Sequence, residues 1–150
     1  MKNVFRNEAD LQSWFTRWLG TEEGFWYVKN RGGAVAYEMK LAKRKDLKKA
    51  ATLPDSAVKE HQVLNLLRAA GWRGREVMRH KISDSAIGFK PFDAVAMCEA
   101  AGELVVCFEG EGVFSVPILE WWKETRGRKR GSVDAAWCAK CGEQVAKGEK

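Results

Sequence analysis

The chain has no long apolar run. Its longest uncharged stretch, Gly112 to Leu119, falls far short of the ~20 residues a membrane-spanning helix requires, so no membrane partner is expected. The N-terminus, Met1-Lys2-Asn3-Val4-Phe5-Arg6-Asn7-Glu8, lacks an apolar stretch of about 7 to 15 residues ahead of a small-residue cleavage site, which argues against a secretory leader and predicts a cytoplasmic protein. Cysteine is scarce, with four in 150 residues. In a chain without a leader these argue against a disulfide framework, because cytosolic thiols are kept reduced. No segment repeats, and no linker-like composition precedes Arg126.

What is present fits one ordinary domain. A 45% hydrophobic content over 150 residues is enough to bury roughly 70% of the surface of the unfolded chain. Twenty-six basic against 20 acidic residues leave a net charge of +6. The basic residues gather at Lys43, Arg44, Lys45, Lys48 and Lys49, and again at Arg126, Arg128, Lys129 and Arg130. Polyanions are the natural partner of such clusters, although a charge run is more often a solvated face, so chemistry must be found beside them.

Local pattern predicts the elements. Asn7 is placed to cap a first helix, with Glu8 and Asp10 in its first turn, an apolar stripe at Leu11, Trp14, Phe15, Trp18 and Leu19, and Gly20 at its end. Residues 25–29 read as a short aromatic strand, Arg31-Gly32-Gly33 as a turn and residues 34–42 as a second strand, together a hairpin. Pro54-Asp55-Ser56 reads as the entry to a helix with core stripe Val63, Leu66, Leu67 and Ala70, stopped by Gly71. Strands are expected at residues 75–82, 92–98 and 104–109, the last two around Ala101-Gly102, with a polar loop at 83–88. A closing helix is expected over 117–125, with one of Trp121 and Trp122 facing outward, and a last helical segment from Ser132. This order predicts an α/β or α+β fold, a mixed central sheet with helices packed on it. The domain spans 1–125, and 126–150 reads as a basic C-terminal tail or helix.

Glu38 and Lys40 project from one face of an extended strand, with Tyr37, Met39 and Leu41 on the other. A carboxylate can bind a hard divalent cation, and an ammonium two residues on can orient or deprotonate a water and stabilise charge developing on a phosphate. Alone, Glu-x-Lys is a common exposed ion pair worth ~0.2 to 1 kcal/mol. Its surroundings are more specific. Tyr37-Glu38-Met39-Lys40, the basic stretch, Leu53-Pro54-Asp55-Ser56, the pair His61-Gln62, a leucine-rich helix and Lys90-Pro91-Phe92-Asp93 together resemble the PD-(D/E)XK nuclease superfamily, in particular phage and bacterial Holliday-junction resolvases. The resemblance runs from about Glu8 to Trp122.

It implies a restriction-endonuclease-like fold and a Mg²⁺- or Mn²⁺-dependent endonuclease acting on branched DNA, with a homodimer cutting two strands symmetrically. Glu38 is implied as acidic metal ligand, Lys40 as the motif lysine, Gln62 as the polar residue that positions water or phosphate, Asp93 as second carboxylate and Glu8 as auxiliary ligand. The usual order of the motif places the aspartate before the Glu-x-Lys strand, and none lies between Asp10 and Glu38. An alternative register, Pro91-Phe92-Asp93 with Glu109-Gly110-Glu111, lacks the lysine. Cys138-Ala139-Lys140-Cys141 has zinc-knuckle spacing, but a structural site needs four ligands, and Cys98 and Cys107 read as strand residues, so structural zinc is not expected. Most of the seven tryptophans are expected in the core.

Overall fold

A computed structural model describes residues 5–70 and 101–147. The expected strands at 75–82 and 92–98, the loop at 83–88, and with them Asp93, lie outside the described residues.

Helix α1 (Glu8–Leu19) begins where the sequence places it: Asn7 Oδ1 accepts from the Asp10 amide at 2.9 Å, and Leu11 and Phe15 are fully buried beneath it. Residues 25–29 are not a strand. They belong to helix α2 (Glu22–Lys29), whose start is fixed by Thr21 Oγ1 accepting from the Gly24 amide and by Glu22 and Glu23 in its first turn. Those cap signals outweigh the β-propensity of Phe25-Trp26-Tyr27-Val28. The expected hairpin is therefore absent, and strand β1 (Val35–Ala42) finds its partner far along the chain.

That partner is β3 (Ala101–Phe108), which runs parallel to β1 with Glu38 beside Leu104 and Lys40 beside Val106. Strand β4 (Gly112–Pro117) returns antiparallel through a turn at Gly110, whose φ of +80° suits glycine. Ala101-Gly102 is thus the start of a strand and not a hairpin turn. Strand β6 (Glu143–Lys147) completes the order β1-β3-β4-β6. The result is an α+β fold with a mixed sheet covered on both faces.

One face packs on α1 and α2 through Leu11, Phe15, Tyr27, Met39, Val105, Cys107 and Val113. The opposite face packs on α3 (Glu60–Ala69) and α4 (Ile118–Trp122), with Leu64, Leu67, Leu104, Phe114 and Trp121 at its centre. Leu64 joins the stripe of α3, whereas Ala70 falls outside it and is exposed. Both Trp121 and Trp122 are buried, so neither faces outward as expected, and α4 runs on into a wider helical turn at Lys123–Gly127. Asp55–Ala57 forms a single 3₁₀ turn before α3.

The segment after Arg126 is part of this core. Strand β5 (Ser132–Asp134) pairs antiparallel with β2 (Thr52–Pro54), helix α5 (Ala135–Cys141) buries Trp137 and Cys138, and β6 extends the main sheet. The helical segment expected from Ser132 thus begins at Ala135. Among the described residues no helix is long and apolar enough to cross a membrane.

A polar network lies buried within the α1/α2 face. Glu103, 3% exposed, accepts from Arg31 Nε and Ser115 Oγ, both at 2.9 Å, and Ser115 Oγ is 2.7 Å from the Tyr27 hydroxyl. Arg31 also donates to Glu143 at 2.8 Å and stacks on the Tyr27 ring at 3.8 Å. Burial pushes the Tyr27 phenol up to about 12. In the unfolded chain a phenol ionises near 10, so this contribution to stability is complete below pH 10 and is lost as pH rises toward 12, at about 1.4 kcal/mol per unit. Tyr27→Phe is expected to flatten the fall in stability over that window, measured by urea unfolding at pH 9 to 12. Equal alkaline slopes in both proteins would contradict the burial.

Candidate active site

The site is built on β1, at one edge of the described sheet, and on the first turn of α3. Helix α3 presses close to the sheet because Gly102 has no side chain: a Cβ there would overlap the Leu66 carbonyl. This approach brings Gln62 over β1. Its Nε2 donates to Glu38 Oε1 at 2.9 Å, while its Oε1 accepts from the Lys59 amide at 3.0 Å. The second bond is half of a capping box, in which a glutamine three residues into a helix satisfies a free amide at its start. The helix cap therefore also turns the NH₂ end of Gln62 toward the carboxylate.

Lys40, 7% exposed, places Nζ 3.8 Å from the same Glu38 oxygen. Glu38 Oε1 thus meets a neutral donor and a cation, and among the described residues no hydrogen bond engages Oε2. Glu8, Gln12, Tyr37, Glu38 and Met39 line a cleft of about 110 Å³. Glu8 reaches it from the first turn of α1 and Gln12 from the next turn on the same helical face. Gln12 is not among the residues expected at the site; its one signal in the sequence is the four-residue spacing from Glu8.

Two carboxylates on one cleft suit Mg²⁺, which takes one or two carboxylates from protein and its remaining ligands from water and phosphate. No group of three or more His, Cys, Asp or Glu side chains that could hold a metal is assembled among the described residues. The expected second carboxylate, Asp93, lies outside them, and the cleft acid among them is the expected auxiliary ligand, Glu8. Glu109 of the alternative register sits at the β3–β4 turn, where its Oε1 accepts from the Arg44 amide at 3.3 Å.

Comparison of the chain with family models, with curated proteins and with solved structures returns no match.

The basic residues divide into two settings. After β1, Lys43 Nζ donates to the Arg6 carbonyl at 2.8 Å, tying the loop to the start of α1 beside Glu8. The Arg44 guanidinium lies across Gly110, and Lys45, Lys48 and Lys49 are exposed. In the second cluster, Arg128 and Arg130 are 2.9 and 3.1 Å from Glu124 and hold its carboxyl below the usual range. Part of their charge is thus met within the protein. Arg126 borders a hollow with Lys59 and His61 at the start of α3, and Lys129 is exposed.

Cys138 is buried among the α3/α4-face residues, whereas Cys107 belongs to the other face of the sheet, so the two do not converge. Burial pushes the Cys138 thiol up to about 12.

Proposed function

We propose that this protein is a divalent-metal-dependent endonuclease of the PD-(D/E)XK type that hydrolyses phosphodiester bonds in branched DNA. The observation that carries the reading is the bond from Gln62 to Glu38 beside Lys40. It unites three residues that the sequence resemblance names as one motif, although Gln62 lies 24 positions beyond Glu38.

Glu38, through Oε2, and Glu8 would hold Mg²⁺, with Asp93 the further carboxylate that the resemblance supplies. The bound ion would provide Lewis-acid polarisation of the phosphate and a metal-bound water as nucleophile. Gln62 holds Glu38 in one orientation. The Lys40 ammonium, shielded from bulk water, stabilises negative charge on the phosphate as the water attacks, where a fixed cation acts more strongly than it would in solvent. Lys43, Lys45, Lys48 and Lys49 follow the strand directly and would grip the DNA backbone. Binding should then fall steeply with salt.

A labelled four-way junction incubated with the protein and Mg²⁺ is expected to be cut, and in EDTA to remain intact. A second reading, a nuclease-fold DNA-binding module without hydrolysis, is favoured by the assembly of only two carboxylates among the described residues. Salt-sensitive junction binding with no metal-stimulated cutting would select it and overturn the first.

A further inference from the structure

Leu47 is 86% exposed, well beyond the other large apolar side chains that reach the surface among the described residues, Phe25 at 56% and Trp26 at 48%. Its place is as unusual as its exposure. It stands in the loop between β1 and β2, bounded by the buried residues Ala42 and Ala51, and its neighbours in sequence are Lys43, Arg44, Lys45, Asp46, Lys48 and Lys49.

The tip of the loop is closed. Asp46 Oδ1 accepts from the Lys48 amide and the Asp46 carbonyl from the Lys49 amide, both at 3.0 Å. Asp46, the single acid of the loop, therefore spends a carboxylate oxygen on the turn. Leu47 is held at the turn's apex, and the base of the loop is pinned by Lys43 on the Arg6 carbonyl and Arg44 on Glu109. The surface is an apolar knob carried by a positively charged, hydrogen-bonded turn that begins beside the Glu38 strand.

From this arrangement we infer that Leu47 is a wedge that enters DNA at an unstacked step while the surrounding lysines hold the flanking phosphates. The inference rests on the nucleic-acid reading above and names the feature of the substrate that the loop selects. Apolar side chains enter between base steps only by unstacking them. In an intact duplex that cost is comparable to what burying one leucine returns. At a branch point stacking is already interrupted, and the burial becomes a net gain. The lysines supply affinity for any DNA, because phosphate contacts carry no such information; Leu47 supplies the preference for branched over continuous helices.

The test is fluorescence-anisotropy binding, in EDTA, of a four-way junction and a duplex of matched sequence to the wild type, Leu47→Ala and Leu47→Phe. Leu47→Ala is expected to lose roughly ten- to a hundredfold in junction affinity, the equivalent of one buried leucine, with duplex affinity and the salt slope of binding unchanged. Leu47→Phe keeps the preference. A 2-aminopurine at the branch point should brighten with wild type and much less with Leu47→Ala. Equal losses on both DNAs, or none on either, would overturn the wedge, as would a change in sedimentation coefficient for Leu47→Ala, which would make the loop a contact between protein chains. Because no cleavage is needed, a wild type that cuts junctions while Leu47→Ala binds them normally overturns the wedge alone. A wild type that discriminates through Leu47 without ever cutting supports the wedge and overturns the nuclease reading.

Discussion

Replacing Lys40 by methionine is expected to lower the rate of Mg²⁺-dependent junction cleavage by about 10²- to 10⁴-fold, the range associated with losing one positioned acid, base or charge-stabilising donor. Methionine keeps most of the aliphatic stem and removes only the charge, so a packing defect is not expected. Among the described residues the carboxylate nearest the near-buried ammonium is 3.8 Å away and is itself 32% exposed, an ion pair of the kind that contributes little to stability. The variant should therefore be no less stable than the wild type, with a Tm equal or higher. Loss of activity without loss of stability is the signature of a residue kept for chemistry. A Tm that falls together with the activity would show Lys40 to be a structural residue instead.

The largest effect on stability is expected at Glu103. Its carboxylate is nearly inaccessible and holds both Arg31 and Ser115 at 2.9 Å. Glu103→Ala leaves the guanidinium with Glu143 and the Tyr27 carbonyl but takes the buried acceptor from Arg31 Nε and from the Ser115 hydroxyl, which keeps only its bond with Tyr27. Breaking a buried pair by removing one partner costs about 3 to 5 kcal/mol, a large part of the roughly 5 to 15 kcal/mol that a domain possesses. Urea unfolding should show the midpoint falling sharply with m unchanged. Glu103→Gln preserves the shape and both acceptor contacts and should recover much of the loss. Glu103 stands beside Tyr37 in the parallel register, on the face opposite Glu38. If Glu103→Ala unfolds at the wild-type midpoint, the network contributes nothing to the fold.

These two residues also mark what sequence can convey. Glu38 and Lys40 were legible as a pair because a strand alternates, so spacing already fixes the face on which each side chain emerges; Gln62 was named by the resemblance, and no spacing along the chain places it over Glu38. Helix α1 was legible from local spacing too, with Asn7, the acidic first turn and the apolar stripe all within 14 residues. The partnership of Arg31 and Glu103, 72 positions apart, has no local signature beyond the oddity of a charged residue opening an apolar strand.

Local signals conflict at α2, and there the strand expected over residues 25–29 is a helix. Phe25, Trp26, Tyr27 and Val28 favour a strand, and only the Thr21 cap and the Glu22-Glu23 start reveal the helix. The hairpin expected there masks the true partner of β1, because a parallel neighbour arrives after a long crossover and leaves no turn motif to find. The basic stretch at 126–130 obscured the rest: Val133, Trp137 and Cys138 follow it and are buried, but their elements are three to seven residues long and are fixed by packing against β2 and β4. The shared cleft of Glu8 and Glu38 likewise depends on how α1 lies against the sheet edge, which no spacing along the chain records.

The central claim is that Glu38 presents a carboxylate to a divalent cation at a hydrolytic site. It is tested most directly by the Mg²⁺ dependence of single-turnover cleavage of a labelled four-way junction by the wild type and by Glu38→Gln. Glutamine keeps the size of the side chain and an oxygen for Gln62 while removing the anionic ligand. The account predicts saturable, Mg²⁺-dependent cutting by the wild type, and for Glu38→Gln either no cutting or at least a tenfold higher Mg²⁺ requirement, corresponding to about 1.4 kcal/mol or more of lost ligation. Cleavage by Glu38→Gln at the wild-type rate and with the wild-type Mg²⁺ dependence would contradict it.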